Sequence, residues 1–314
     1  MTLAQLEYII AVDTYGSFVA AAEQCFVTQP TLSMQVQKLE ENLNVKIFDR
    51  SKHPVTATPL GRKIIQQARI VLTESKKIED LLQDDKGVFS GDVKIGVIPT
   101  AAPYLLPHIL PELKSKFPDL HIYIWEYTSD KIIKLLKNGT LDCGILSTPL
   151  HESELKEDPL FYETFVAYVS DSSPLIKKKL LHSKDIADER LWLLNEGHCM
   201  RGQVLNICNY RNQQREGELL EYNTGSIESL KRMVDVNGGV TILPELSVQF
   251  YSEDILENIR YFTSPEPVRE MSIVTPQVFA KKQIINGIKE IILNYVPEKF
   301  KTIKKKELMT FKLS

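Results

Sequence analysis

The spacing of apolar residues predicts three short helices in close succession over residues 1–58. Each helix carries one apolar face, in which side chains recur three or four positions apart. These faces consist of Leu3, Leu6, Ile9 and Ile10, then Phe18, Ala21, Ala22 and Cys25, then Leu32, Val36, Leu39 and Leu43. Ser17 and Thr28 are suitable N-caps for the second and third helices, and Pro30 fits a first helical turn. The second and third helices together form a helix-turn-helix pattern.

The outward side of the third helix carries mostly short polar side chains, of the kind that reach base edges and phosphates in a major groove. The candidate contacts with double-stranded DNA are Gln29, Pro30, Thr31, Ser33, Met34, Gln37 and Lys38. Extended segments at 45–48 and 55–58, separated by a turn at 51–54, suggest a β-wing whose cations contact phosphates. Those cations are Lys46, Arg50, Lys52 and His53. A helical packing domain with a solvated polar face gives the same periodicity, so the pattern alone leaves both interpretations open.

A long helix is predicted to begin at Thr58, a suitable N-cap, and Pro59, which fits a first helical turn. Along it, residues recur with alternating spacings of four and three, as in a coiled-coil seam. The seam consists of Ile64, Ala68, Val71, Ser75, Ile78 and Leu82. Because a lone helix would leave the seam in water, we expect it to pair with a second copy. Packing of the helix back on its own chain is the alternative.

The pattern changes after a polar, glycine-bearing joint at residues 84–91. Strand-like and helix-like segments alternate as βαβαβ over 93–146, which predicts an α/β fold with a mostly parallel, doubly wound sheet. A second set spans 165–243, with a helix near 200–210 and a strand at 219–222. A strand at 271–274 and a helix at 284–293 are expected to return to the first lobe. We therefore predict a winged helix-turn-helix at 1–58, a linker helix and hinge at 59–90, and a two-lobed domain with a cleft at 91–314.

Composition and charge limit the classes of protein that fit. The chain has 314 residues, of which 43% are hydrophobic, and a formal net charge of -3, which excludes a disordered chain or a disulfide scaffold. From Thr28 to Arg69, seven basic residues stand against three acidic ones, and this excess of +4 suits a DNA-binding segment. No segment approaches the roughly 18 apolar residues that a membrane span needs, so we expect a cytoplasmic protein without a membrane partner.

Two of the four cysteines, Cys199 and Cys208, suggest redox chemistry. Cys199 lies where a strand leads into a predicted helix, close to Arg201, and both a helix N-terminus and a cation favour the thiolate. A thiolate reduces peroxide and becomes a sulfenic acid, which Cys208 can trap as a disulfide. Nine residues of intact helix separate the two α-carbons by about 13 Å, whereas a disulfide tolerates about 7 Å at most. Closing this disulfide therefore requires the helix to break.

Other interpretations of the cysteines remain open on the residues alone. Cys199 and Cys208 can be inert buried side chains, since free cysteine is commonly buried. A zinc site that included them and His198 would lack a fourth ligand at a usual spacing. Cys25 and Cys143 lie on an apolar helix face and in a strand, which favours core packing for both.

The first 65 residues are similar to the winged helix-turn-helix of LysR-type transcriptional regulators. The resemblance rests on the whole segment, including AAEQCFVTQPTLS at Ala21 to Ser33 and TPLGRKI after the wing. It implies binding to promoter DNA, an effector domain that resembles periplasmic binding proteins, a homotetramer, and contact with RNA polymerase.

A narrower resemblance links the chain to the peroxide-sensing members of that family. The segment EGHCMRGQVLNIC is similar to their redox segment, with both cysteines at matching positions, and GVIPTAAPYLLPHILPEL, LDCGIL and PEPVR extend the similarity. It implies that Cys199 is the peroxidatic residue and Cys208 the resolving one. It also implies a peroxide pocket consisting of Thr100, Ser129, His198 and Arg269, with Ser129 where threonine is common.

The individual pocket residues also have ordinary structural interpretations. Thr100 can cap the following helix, His198 can be a loop histidine with satisfied hydrogen bonds, and Arg269 can form a surface ion pair.

The resemblance implies a peroxide-responsive transcription activator that is not an enzyme, needs no cofactor or metal, and is reset by a thiol reductant system. One alternative is a LysR-type regulator with a metabolite in the interlobe cleft, for which ligand-stabilised folding would survive Cys199→Ser. Another is a thiol peroxidase that uses Cys199, for which peroxide consumption would be sustained at enzymatic rates.

Overall fold

A computed structural model describes residues 1–52, 54–85, 89–208, 222–279, 281–302 and 306–308. The chain separates into two compact units: Met1–Lys86 with Asn138–Thr140, and Gly87–Lys137 with Leu141–Ser314. The predicted wing residue His53 and positions 219–221 of a predicted strand lie outside the described residues.

The first unit is a winged helix-turn-helix followed by a long helix. Its elements are α1 (Leu3–Tyr15), α2 (Phe18–Gln24), α3 (Gln29–Leu43), β1 (Phe48–Asp49), β2 (Thr56–Ala57) and α4 (Pro59–Asp85). The predicted N-caps are confirmed, because the hydroxyls of Ser17, Thr28 and Thr58 each accept from the backbone N–H three residues further on. β1 and β2 pair antiparallel and form the wing, although each strand is only two residues long.

The core of the first unit contains most of the predicted apolar faces. Leu6, Ile9 and Leu32 are at most 3% exposed. The prediction is wrong for Leu3 and Leu43, which are 47% and 40% exposed. Leu3 is the first residue of α1 and Leu43 is the last residue of α3, so each lies at a helix end, away from the centre of the core.

The apolar seam of α4 is divided between two environments. Ala68 is 2% exposed, and Ile64 and Val71 pack against the core that α1 to α3 form. This part of the seam therefore packs back on its own chain, as the alternative interpretation predicts. Ile78, further along α4, is 66% exposed. Ile78 is thus a seam residue that a second copy can cover.

The second unit is a two-lobed α/β structure. Its first elements are β3 (Gly91–Val97), α5 (Ala102–Lys116), β4 (Leu120–Glu126), α6 (Ser129–Lys137), β5 (Cys143–Thr148), β6 (Leu155–Val169), β7 (Leu180–Leu181), β8 (Leu191–Trp192) and α7 (Cys199–Cys208). The later ones are α8 (Ile227–Asn237), β9 (Val240–Pro244), α9 (Glu245–Val248), α10 (Glu253–Leu256), β10 (Ile259–Phe262), β11 (Glu266–Pro276), α11 (Lys282–Tyr295) and β12 (Lys306–Leu308).

Strand β6 passes through both lobes. Its residues 155–164 pair with β11 in the first lobe, where the strand order is β4-β3-β5-β11-β6. Its residues 165–169 pair with β9, and part of the same segment pairs with β10, in the second lobe. The two-lobed prediction is therefore confirmed.

The first-lobe sheet is mixed, so the expectation of a mostly parallel sheet is only partly met. β3 pairs parallel with β4 and β5, whereas β11 pairs antiparallel with both β5 and β6. β11 follows β10 of the second lobe after a short connection, and it enters the first-lobe sheet in the opposite direction.

The predicted return of the chain to the first lobe is confirmed by β11 and α11. α11 packs against α5, and Gly287 permits the close approach, since a Cβ there would lie 2.5 Å from the Phe117 ring.

Candidate redox site and DNA-binding surface

Cys199 is the first residue of α7 and is 5% exposed. The loop that precedes it turns at Gly197, which has the positive φ of +85° that glycine adopts most readily. The Asn195 N–H donates to the Thr224 carbonyl at 2.8 Å and fixes the other end of this loop. The predicted position of Cys199 at a helix start is therefore confirmed.

The pKa of Cys199 is set by opposing influences. Burial has the largest effect and raises the pKa of the thiol above its ordinary value. The Ser129 hydroxyl, the positive charge of Arg269 and the backbone N–H groups of Met200 and Cys199 lower it, in that order. The helix start favours the thiolate through its backbone N–H groups, as expected, but burial has the larger effect and keeps the pKa of Cys199 above its ordinary value.

Arg201 is not the cation that acts on Cys199. Its Nη1 donates to the Leu194 carbonyl at 2.8 Å, so its guanidinium caps the end of a preceding segment. Residues two positions apart on a helix differ by about 200° in direction, which explains why closeness in sequence is misleading here. The cation that lowers the thiol pKa comes from β11, as Arg269.

Arg269 and Thr100 are joined by two hydrogen bonds. Arg269 Nη1 donates to Thr100 Oγ1 at 2.8 Å, and Nη2 donates to the Thr100 carbonyl at 3.1 Å. Thr100 does not cap α5, whose N-cap is Ala101. Arg269 is fully buried, which excludes a surface ion pair. The structural interpretations of these two residues are therefore wrong.

Ser129 begins α6 and is 1% exposed. Its Oγ has no hydrogen-bond partner of ordinary geometry among the described residues, yet its hydroxyl is the strongest of the groups that stabilise the Cys199 thiolate. A buried hydroxyl without a regular partner is costly, and such a group is available to a small polar molecule. Ser129 and Arg269 thus both act on buried Cys199, and Arg269 links it to Thr100.

His198 precedes Cys199 and is 9% exposed. Its ring lies against Gly225, where an added Cβ would be 2.9 Å from Nε2. Burial lowers the pKa of His198, which favours the neutral imidazole at neutral pH. His198 is the neighbour of Cys199 in sequence. The described hydrogen bonds include none from His198 to Thr100, Ser129 or Arg269.

Two buried polar residues of this region were not predicted. Glu163 on β6 is fully buried and pairs with Arg269, and Gln203 on α7 donates to Ser147 Oγ at 3.0 Å. Gln203 lies one turn after Cys199, so its bond joins α7 to β5. Glu163 carries a weak sequence signal, a carboxylate within an otherwise apolar strand segment, whereas nothing local marks Gln203.

Cys208 ends α7 and is 1% exposed. Burial raises the pKa of this thiol to about 12. Both Cys199 and Cys208 are free thiols, and the intact helix between them sets their α-carbons about 13 Å apart. Cys143 is a fully buried core residue as predicted, while Cys25 is partly buried at the edge of the first core.

Two further features of the described residues concern metal ions and membranes. Within the described ranges, no group of three or more His, Cys, Asp and Glu side chains is arranged to hold a metal ion. None of the helices searched there combines the length and the apolar character that a membrane crossing needs.

The predicted DNA-facing side of α3 is open to solvent. Six of the seven predicted residues are exposed: Gln29, Pro30, Thr31, Met34, Gln37 and Lys38. Ser33 is partly buried and accepts from Arg50 Nη1 at 3.2 Å. Thr31 Oγ1 also bonds the N-cap hydroxyl of Thr28 at 2.8 Å, so its side chain is held near the helix start.

Arg50 of the wing is held by α3 and α2. Its Nη2 lies 3.3 Å from Glu40 Oε2, and its guanidinium stacks over the Phe18 ring at 4.7 Å. Glu40 is 2% exposed and also accepts from the Ile47 N–H at 2.7 Å. Arg50 therefore fixes the wing against the candidate recognition helix, in addition to any contact with phosphate. The buried role of Glu40 was not predicted.

Lys52 is the most accessible of the wing cations with described contacts. Its side chain is 64% exposed and lies 3.8 Å from Asp49. An exposed pair at this distance is weak, so the Lys52 charge is available to a phosphate.

The comparisons with known proteins agree with this arrangement. Residues 3–62 match the family described as bacterial regulatory helix-turn-helix protein, lysR family, and residues 86–278 match the LysR substrate binding domain. The chain therefore belongs to the LysR family of bacterial regulators. Within that family, its similarity is to proteins named as hydrogen peroxide-inducible genes activators or OxyR.

Two curated relatives and two solved structures illustrate that similarity. The hydrogen peroxide-inducible genes activator of Haemophilus influenzae is 34% identical over 87% of this chain and 90% of its own length. The DNA-binding transcriptional dual regulator OxyR of Escherichia coli is 35% identical over 87% of this chain and 89% of its own. A full-length OxyR variant from Pseudomonas aeruginosa has a TM-score of 0.76 at 34% identity, covering 93% of this chain and 98% of that one. A hydrogen peroxide-bound OxyR mutant from Corynebacterium glutamicum has a TM-score of 0.61 at 25% identity, covering 93% and 92%.

Proposed function

We propose that this protein is a transcription activator that binds promoter DNA through its winged helix-turn-helix and senses hydrogen peroxide through Cys199 and Cys208. The observation that carries the proposal is the placement of the two thiols at opposite ends of α7, with Cys199 beside Ser129 and within reach of the charge of Arg269. The names of the relatives, which refer to hydrogen peroxide and to gene activation, support the same function.

The proposed chemistry begins at the Cys199 sulfur. The thiol loses its proton, and the thiolate sulfur attacks one oxygen of hydrogen peroxide, which breaks the O–O bond and forms a sulfenic acid. The second oxygen leaves as hydroxide and takes up a proton to become water. Ser129 Oγ, Thr100 and Arg269 supply the polar groups that hold the peroxide and the sulfur anion, and neutral His198 borders the site.

The second step joins Cys199 to Cys208. The Cys208 thiolate attacks the sulfenic sulfur, the S–S bond forms, and the S–O bond breaks with release of hydroxide, which is protonated to water. The α-carbons must approach from about 13 Å to about 7 Å or less, so α7 has to unwind. This coupling turns a local oxidation into a structural change, as a switch requires. A thiol reductant system then returns both thiols.

The proposal assigns one role to each part of the chain. Residues 1–58 read DNA, 59–90 form the linker helix and hinge, and 91–314 sense peroxide. The exposed Ile78 of the α4 seam suits pairing of two copies, and a homotetramer that contacts RNA polymerase follows the family pattern. We place this assembly in the cytoplasm and assign it one oxidation per switch, in contrast to an enzyme that consumes peroxide continuously.

The proposed function is tested in cells that carry a peroxide-responsive reporter regulated by this protein. Cys199→Ser and Cys208→Ser should each abolish induction by peroxide while leaving DNA binding by the reduced protein intact. Cys25→Ser and Cys143→Ser serve as matched controls and should respond as the wild type does. Undiminished induction in Cys199→Ser, together with a metabolite that still stabilises that variant, would favour a small-molecule effector in the cleft instead.

A further inference from the structure

Glu163 is a fully buried carboxylate at the point where β6 passes between the lobes. Its Oε1 accepts from Arg269 Nε at 2.8 Å and lies 2.7 Å from Nη2. Its Oε2 accepts from the Leu246 N–H, in the first turn of α9, at 3.1 Å. Both carboxylate oxygens are therefore engaged, one by the cation and the other by backbone of the second lobe.

These contacts leave the Arg269 guanidinium a single orientation. Nε and Nη2 face Glu163, while Nη1 and Nη2 face the hydroxyl and carbonyl of Thr100. A planar guanidinium held on two edges cannot rotate without breaking several bonds. Glu163 thus fixes the cation whose charge lowers the pKa of Cys199.

The charge of Glu163 also matters, because it opposes that of Arg269. A buried cation paired with a buried anion exerts a weaker field on a third group than an unpaired one does. A bare guanidinium at this position would stabilise the Cys199 thiolate more strongly. The pair therefore provides a positioned but moderated positive charge.

We propose that Glu163 is a positioning residue that sets the reactivity of Cys199 by fixing the orientation of Arg269 and moderating its charge. This inference rests on the proposed function for the identity of the oxidant, hydrogen peroxide. One carboxylate thus has two effects. The negative charge of Glu163 shifts the pH at which Cys199 reacts, and the length of the Glu163 side chain, which positions Arg269, affects how fast the thiolate reacts.

The chain offers a matched control in Glu245. This carboxylate is 7% exposed and neighbours Leu246, but it accepts from the hydroxyls of Thr164 and Tyr261 and pairs with Lys299 at 2.8 Å. It therefore resembles Glu163 in burial and in location near the lobe crossing, while its bonds lead to other groups. A loss of stability alone should be similar for changes at the two positions.

The test measures the pH dependence of Cys199 alkylation by iodoacetamide, and of its oxidation by hydrogen peroxide, on reduced full-length protein in a Cys208→Ser background. Glu163→Gln removes the charge, so both profiles should move to lower pH by about half a unit or more. Glu245→Gln should leave them in place. An unmoved profile for Glu163→Gln, or an equal movement for Glu245→Gln, would overturn the proposal.

Glu163→Asp tests the positioning effect separately and guards against a Gln variant that does not fold. The shorter side chain keeps the charge but cannot reach Arg269 and the Leu246 N–H together. We expect the profile to keep its position while the rate constant of the thiolate with peroxide falls about tenfold, with Glu245→Asp unaffected. A wild-type rate constant in Glu163→Asp would contradict this. If the wild-type protein alkylates at Cys199 but does not react with peroxide, the proposed function fails, and the alkylation profiles still decide the role of Glu163.

Discussion

Cys199 and Cys208 are the first and last residues of one continuous helix, so the fold of the reduced protein itself keeps the two thiols apart. Both thiols are buried, and burial raises the pKa of each; Ser129 and Arg269 act in the opposite direction on Cys199, whereas the pKa of Cys208 is raised to about 12. Disulfide formation therefore needs two events, oxidation of one thiol and opening of the helix. The second event should depend on helix stability.

Gly202 lies within α7 and offers a direct way to change that stability. Glycine inside a helix is less favourable than alanine by about 0.5–1 kcal/mol. Gly202→Ala should therefore slow the disulfide step about two- to fivefold, measured by quenched-flow alkylation after a peroxide pulse. The rate of sulfenic acid formation, followed in a Cys208→Ser background, should be unchanged and serves as the control. An equal or faster disulfide step in the alanine variant would contradict the need for helix opening.

Ser129 provides a second prediction, because its hydroxyl lowers the pKa of Cys199. Ser129→Ala should raise that pKa, move the pH profile of Cys199 oxidation to higher pH, and reduce the rate at neutral pH by about tenfold. Ser129→Thr keeps the hydroxyl and should retain most of the rate. Equal rates for the alanine and wild-type proteins across the pH range would remove Ser129 from the site.

Substitutions of Gln29, Lys52 and Arg50 on the candidate DNA-binding surface should change DNA binding in three different ways. Gln29→Ala should weaken operator binding by about 1–3 kcal/mol if the side chain contacts a base. Lys52→Ala should weaken binding to all sequences and reduce the salt dependence by about one counterion. Arg50→Ala should in addition lower the thermal stability of the first unit, because Arg50 pairs with buried Glu40. Fluorescence anisotropy at several salt concentrations, together with calorimetry, separates these outcomes, and identical salt slopes for Lys52→Ala and the wild type would exclude a phosphate contact.

The pH dependence of stability follows from the buried Cys208 thiol. In the unfolded chain a thiol loses its proton near pH 8.5, whereas in the folded chain Cys208 keeps it to about pH 12. The contribution of this thiol is therefore fully present below about pH 8.5 and is lost as the pH rises toward 12. In reduced protein, Cys208→Ser should make the fall in unfolding free energy between pH 8 and 10.5 shallower, as measured by urea titration. Cys25→Ser, at a partly exposed site, is the control, and an unchanged slope in Cys208→Ser would contradict the assignment.

Much of the first unit could be predicted from sequence because its determinants are local. The N-caps Ser17 and Thr28 lie within three residues of the N–H groups they bind, and the apolar faces of α2 and α3 recur at helical spacing. The wing strands and the two lobes were predicted from similar local patterns. The predicted burial was wrong at helix ends, as for Leu43, because packing there depends on distant segments.

The candidate site was only partly predictable, since its geometry depends on distant pairs. Arg269 and Glu163 are separated by 106 positions, and Arg269 and Thr100 by 169, so no spacing rule joins them. The resemblance to the family predicted Thr100, Ser129 and Arg269 as site residues. Closeness in sequence to Cys199 favoured Arg201, but its guanidinium binds the Leu194 carbonyl instead. Glu163 is paired with Arg269 because β6 and β11 are neighbours in the sheet, a pairing that the sequence pattern does not indicate.

The measurement that tests the central claim most directly is differential thiol alkylation with peptide mass spectrometry, on reduced protein titrated with near-stoichiometric hydrogen peroxide. We expect a rapid Cys199 to Cys208 disulfide, with Cys25 and Cys143 still free and with slow turnover of further peroxide. Four thiols that stay free, or that react slowly and without preference, would contradict a peroxide switch in this protein.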